Sequence, residues 1–149
     1  LSLDVLPLNG TTPTTAHAVA FKNQRFIHEY TDRNYDRHRR DAVAMEQLTW
    51  SHYVVNIYSS CASAGITEYS TEGDIAKILR ENVLSSKDKL TIGYQVATGI
   101  ADTHGATRRE NVDGPSVAHT DITLGQFIFV EGRFKLNDFN RCRFMRWYR

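Results

Sequence analysis

The stretch VAHTDITLGQFIFVEGRFKLNDFN, residues 117–140, sets two aspartates on either side of a hydrophobic repeat. Residues 126–130 and 133–137 are rich in β-branched and aromatic side chains, and Glu131-Gly132 between them is a two-residue turn signal. The segment is therefore predicted to form an antiparallel β-hairpin. A hairpin returns the chain to its starting point, so Asp121 before it and Asp138 after it are expected to converge. Phe127 and Phe129 point to one face and Ile128 and Val130 to the other, so both faces should be partly covered. Two carboxylates held together repel unless a cation or a proton lies between them, which makes the pair a candidate metal and general-base site. The plainer alternative is that one acid caps a turn and the other faces solvent.

Upstream, ATRRENVDGPS at 106–116 is a polar loop, and Val117-Ala118-His119 leads from it into the hairpin. Before the loop, Ser86 is placed to cap a long helix through Ala101, with Leu90, Gly93, Tyr94, Ala97 and Ile100 on one stripe and Gly105 at the C-terminal cap. A shorter helix is predicted over 75–83, after a turn at STEGD. GITEY at 65–69 and YVVNIY at 53–58 have strand composition. Tyr35, His38, Ala42, Met45 and Leu48 recur at helical spacing within 34–49, with Asp32 as N-cap and a basic outer face. AHAVAFK at 16–22 alternates like a short strand, and residues 1–15 look irregular. The order of strand, helix, two strands, two helices and hairpin predicts the α+β class.

At 149 residues, with 41% hydrophobic and 23% charged side chains, the composition is that of one globular domain. No apolar run is long enough to span a bilayer. A net charge of +1 argues against a dedicated nucleic-acid protein, despite basic clusters at Arg37, Arg39, Arg40 and in RCRFMRWYR at 141–149. Cys61 and Cys142 form no metal-ligand spacing and no disulfide framework. LSLDVLPL has no basic leader, so an intracellular or cytoplasmic-side location is expected. Asn9-Gly10-Thr11 matches a glycosylation sequon, which matters only in a secreted chain. The first residue is not Met, which points to a missing or processed N-terminus.

Four motifs in order resemble the eukaryotic protein kinase family. HTDI at 119–122 is similar to the catalytic-loop HRDL, KLNDFN at 135–140 to the strand entering DFG, and VAFK at 19–22 to VAIK. ITEYSTEGDI at 66–75 is similar to the hinge between the two lobes. The resemblance implies a partial two-lobed fold in a single domain, with a small lobe over 16–67, a hinge over 68–72 and the start of a large lobe over 73–149. It implies ATP as co-substrate, Mg2+ as cofactor and a protein substrate. Asp121 would orient the acceptor hydroxyl, Asp138 would bind magnesium, and Lys22 would contact the phosphates. Family spacing places the acid that pairs with Lys22 at Asp41. The backbone of Glu68, Tyr69 and Ser70 would meet the adenine edge, and Gln126 stands at the position of the second-metal asparagine.

Several positions depart from the family pattern. Thr120 replaces the HRD arginine, so no cation there can pair with a phosphorylated activation loop. Gln126 is one methylene longer than asparagine, and Asp41 one shorter than the usual glutamate. Asn140 stands for the DFG glycine and is the residue best suited to imitate it at positive φ. Gly10 is the only glycine before Lys22, so a glycine-rich phosphate loop is missing, and only nine residues follow Asn140. The resemblance therefore implies a fragment of a kinase domain, with apolar faces on the hairpin and long helix left exposed. Three functions follow from it: a kinase domain, a pseudokinase that binds nucleotide and serves as a scaffold partner, or a small-molecule phosphotransferase sharing the H-x-D loop.

Overall fold

Strand alternation, helix caps and one tight turn set the elements of the computed structural model, which describes residues 18–25, 27, 29–106 and 116–145. Expectations for 1–15, for most of the polar loop and for the last four residues lie outside the described residues. Strands β1 (Val19–Asn23), β2 (Ile57–Cys61) and β3 (Ala64–Glu68) form an antiparallel sheet in the order β1-β3-β2. Exposure alternates along β1, as the pattern VAFKN predicts, and Lys22 lies opposite Gly65.

Helix α1 (Asp32–Gln47) is capped by Thr31, whose hydroxyl accepts the Asn34 amide, rather than by Asp32. Asp32 instead occupies the first turn, where its carboxylate suits the helix dipole. The helix turns Asp41, Ala44 and Met45 inward. Helix α2 (Ile75–Glu81) is capped by Asp74, which accepts the Lys77 amide at 2.8 Å. Helix α3 (Ser86–His104) is capped by Ser85, one residue before the predicted Ser86, with Ser85 and Asp88 forming a reciprocal capping box.

Of the predicted α3 stripe, Ile100 packs on the core, but Leu90 is 76% exposed and Tyr94 63%. Gly99 and Thr103 are buried, and Ile92 and Val96 pack on the core with Ile100. Close approach decides the face: a Cβ on Gly99 would stand 2.8 Å from the Tyr53 carbonyl oxygen, whereas one on Gly93 would meet open space. Gly99 thus marks the contact line, while Leu90 lies in solvent and Tyr94 packs edge-on against Tyr53.

YVVNIY does not form one strand. Leu136 donates its amide to the Tyr53 carbonyl at 2.8 Å and accepts the Val55 amide at 3.0 Å, and β2 starts only at Ile57. Val54 and Val55 are fully buried by this pairing. The predicted hairpin is present as β5 (Phe127–Val130) and β6 (Arg133–Leu136), joined by Glu131 and Gly132 at φ 51° and 81°. Those values are the left-handed pair that a tight I′ turn requires. Phe127 and Val130 are buried while Ile128 and Phe129 are partly covered, so both faces of the hairpin are packed. Short strands β4 (Val117–Ala118) and β7 (Arg143–Phe144) pair beside it.

Met45, Leu48, Val54, Phe127, Leu136 and Phe139 form the centre of one core shared by α1, the hairpin and the turn after it. Among the described residues, three α-helices with open antiparallel sheets make the fold α+β. Among the described residues no helix is long and apolar enough to cross a membrane.

Candidate functional site

Strand β1 and helix α1 bring Lys22 and Asp41 face to face, and β6 delivers a third charge. The Lys22 Nζ donates to Asp41 Oδ2 at 2.7 Å and to Asp138 Oδ1 at 2.5 Å, the latter across 116 residues of sequence. Asp41 also accepts the Phe139 amide through Oδ1 at 2.6 Å, so one buried carboxylate holds both the lysine and the turn that carries Asp138. The shorter aspartate therefore reaches Lys22 without a glutamate's extra methylene. Burial alone would depress the Lys22 ammonium, but attraction to Asp41 and Asp138 outweighs it and holds the pKa above the ordinary value. His38 on α1 moves the other way, lowered by burial and by the Lys22 charge. Two carboxylates thus share one ammonium, with a neutral imidazole favoured beside them.

Asp138 takes left-handed backbone angles, φ 62° and ψ 69°, at the entrance to the 3-10 turn Phe139–Arg141. A non-glycine residue persists there only when its surroundings hold it, and such strain gathers at functional sites. The sequence reading put that conformation at Asn140, in place of the family's glycine. Asn140 instead lies inside the turn, and the positive φ falls two residues earlier. The preceding strand end fixes this: the Asn137 amide bonds the Gln126 carbonyl and the Asn137 carbonyl meets His119 Nε2 at 2.9 Å. The ring of His119 packs edge-on against Phe139, 4.7 Å between centroids.

His119 also draws in the loop that holds Asp121, whose amide donates to His119 Nδ1 at 3.3 Å. Nδ1 accepts in that contact, so Nε2 carries the proton given to Asn137. Thr120 between them has φ 63°, unusual for a β-branched residue, and its hydroxyl donates to the Arg141 carbonyl at 2.7 Å. The Arg141 guanidinium lies 3.7 Å from Asp121 Oδ1. The open end of the hairpin thus gathers 119–121 against 137–141, as the hairpin argument predicts. Each acid faces its own cation, Asp138 with Lys22 and Asp121 with Arg141.

The expected adenine-edge residues end β3. The Glu68 amide already donates to the Asn56 carbonyl at 3.1 Å, and its carbonyl accepts the Thr67 hydroxyl at 3.2 Å. Ser70 Oγ bonds both backbone groups of Gly73, closing the turn into α2. Tyr69 is partly exposed between them. The Glu68 side chain turns inward to a partner that the sequence reading missed. Lys135 Nζ donates to Glu68 Oε1 at 2.6 Å, both side chains only 6% exposed, while Glu68 Oε2 accepts the Asn56 amide at 2.9 Å. Four consecutive residues of one strand end therefore attach in four directions: Lys135 to Glu68, Leu136 to Tyr53 and Val55, Asn137 to Gln126 and His119, Asp138 to Lys22.

Among the described residues no three His, Cys, Asp or Glu side chains cluster as a metal site. A carboxylate and an amide oxygen, as on Asp138 and Gln126, are the hard donor types that magnesium takes. Here Asp138 Oδ1 accepts from Lys22, and Gln126 reaches this strand end through its main-chain carbonyl, which accepts the Asn137 amide. A small, partly open cavity of about 10 Å³ touches Lys22, His38, Asp41, Gly65 and Thr67, room for a water molecule and not a nucleotide. Burial pushes the Cys142 thiol up to about 12, which leaves it unreactive at neutral pH. No protein-family model matches this sequence, and no curated protein matches it.

Proposed function

We propose that this chain is a protein-kinase-like domain serving ATP-dependent phosphoryl transfer to a protein hydroxyl. The observation that carries the reading is the junction of Lys22, Asp41 and Asp138, in which residues from β1, α1 and the end of β6 meet within hydrogen-bond distance. A lysine shared by two carboxylates has a reason to exist where a polyanion and a divalent cation are to be exchanged against it.

In this reading Asp41 orients Lys22, and Lys22 receives the phosphates on the face of β1 that it shares with Ala20, opposite the exposed Val19 and Phe21. Magnesium, when bound, supplies charge neutralisation at the phosphates, with Asp138 and Gln126 to hold it. The main chain at Tyr69 and Ser70 meets the adenine edge, together with the Glu68 carbonyl, since the Glu68 amide is engaged in the sheet. Asp121 accepts the acceptor's proton as its oxygen attacks, and His119 keeps the Asp121 loop fixed to the Asp138 strand.

The test is thermal. Millimolar Mg-ATP should stabilise the protein by about 2.7 kcal/mol at a hundredfold excess over Kd, and the shift should vanish in Lys22→Ala. No shift in the unmutated protein rejects the nucleotide site. A second reading, a nucleotide-binding scaffold with little catalysis, is favoured by Gln126 at a metal position and Thr120 in the acid's loop. Phosphate incorporation that Asp121→Asn abolishes with ATP binding intact supports the enzyme. Incorporation that never exceeds background in the unmutated protein supports the scaffold.

A further inference from the structure

The loop that holds Asp121, HTDITLGQ at 119–126, contains no lysine or arginine. Phosphoryl transfer places developing negative charge on the oxygens of the moving group, directly beside the acid that receives the acceptor's proton. A carboxylate alone at that point raises the charge; a cation is needed between it and the phosphoryl oxygens. The cation lying against Asp121 comes from outside the loop. Arg141 sits one residue past Asn140, at the end of the 3-10 turn that starts from Asp138.

Two separate contacts dock Arg141 onto this loop. Its carbonyl accepts the Thr120 hydroxyl at 2.7 Å, with Thr120 held in a left-handed conformation. Its guanidinium faces Asp121 at 3.7 Å and is 60% exposed, against 30% for Asp121. Such an open, long ion pair adds little to folding, so stability does not account for a strained threonine used to hold it. Arginine offers five donors in a planar fork, and one contact to a carboxylate leaves the others to receive phosphoryl oxygens.

We infer that Arg141 is a catalytic residue that binds the phosphoryl group in transit between nucleotide and acceptor. The inference rests on the phosphotransferase reading above. The acceptor oxygen forms a bond to the γ-phosphorus while the bond from that phosphorus to the β-bridging oxygen breaks. The electron pair leaves on ADP, and the acceptor proton passes to Asp121. Arg141 holds equatorial oxygens of the moving group and keeps Asp121 from repelling it.

The experiment measures affinity of the full chain for Mg-ADP alone and for Mg-ADP with aluminium fluoride, a mimic of the transferring group, by titration calorimetry. Arg141→Gln should weaken the fluoride-dependent complex by about 10² to 10³ fold while leaving Mg-ADP affinity within about twofold. Arg141→Lys should recover part of the loss, and both variants should melt with the unmutated protein. Equal weakening of both complexes, or none, overturns the role of Arg141 and leaves the nucleotide site standing. A native protein that binds Mg-ADP but gains nothing from aluminium fluoride overturns it too. If the native protein binds neither, and Lys22→Ala changes nothing, the phosphotransferase reading falls and this inference falls with it.

Discussion

Among the described residues two lysines meet carboxylates, and they do so in opposite ways. Lys135 and Glu68 form a one-to-one pair, each side chain 6% exposed, with the second Glu68 oxygen satisfied by the Asn56 amide. Lys22 meets two carboxylates at once, remains 34% exposed, and leaves Asp138 at 27%. The first arrangement is balanced and closed. The second has a carboxylate in excess and an open side. A buried ion pair whose two carboxylate oxygens both accept hydrogen bonds holds two elements together and leaves no open side for a ligand. An uneven one with solvent access is held in a state that a bound cation or anion can improve, which is why the function is placed there and not at Lys135.

The difference can be broken first at the closed pair. Lys135→Met, which strands a buried Glu68, should cost about 3–5 kcal/mol in urea denaturation. Adding Glu68→Met should return part of that loss and leave about 1–3 kcal/mol, because the Asn56 amide loses its acceptor. Should the double variant stay as unstable as the single one, Glu68 has a role beyond its lysine and the Asn56 amide. At the open junction Lys22→Met should cost less, about 1–3 kcal/mol and falling in high salt: Asp41 is left buried without its cation but keeps the Phe139 amide, and solvent screens Asp138. Asp138→Asn should lie within about 0.5 kcal/mol of the native protein, or above it, since it removes the surplus carboxylate. The same variant should lose the Mg-dependent part of the ATP-induced shift.

The smallest effect is one of pH. Because burial and Lys22 lower the His38 pKa from 6.5, the unfolded chain takes up that proton first as pH falls. Stability should decline from about 6.5 downward until the lower folded value is passed, and His38→Gln should flatten that part of a melting-versus-pH curve. Lys22 works in the basic direction. Its raised value means that its contribution is whole below the ordinary 10.5 and fades only as pH climbs through the folded value.

How much of this was legible in the sequence depended on range. The hairpin was readable because its turn signal is local and its strands alternate, and the caps of α1 and α3 fell one residue from their predicted places. The pairing of Lys22 with Asp41 was expected from family spacing, whereas Asp138 was expected to bind magnesium, since no local pattern links it to a lysine 116 residues away. Lys135 was hidden because a lysine on a strand reads as solvated until its buried partner 67 residues away is known. The face of α3 was misread because apolar counting favours Leu90 and Tyr94, whereas close packing on Tyr53 favours Gly99. Asn140 was assigned the left-handed backbone from its side chain alone, yet bonds made by Asn137 on both sides move that conformation to Asp138.

The run of four residues from Lys135 to Asp138, each fastened to a different neighbour, has an evolutionary corollary. A substitution along it disturbs the attachments of one residue and leaves the main-chain bonds of Leu136 and Asn137 in place. A codon inserted or deleted there shifts all four out of phase together and turns every side chain to the opposite face. Descendants of this sequence should therefore keep the length of that stretch even more strictly than its letters.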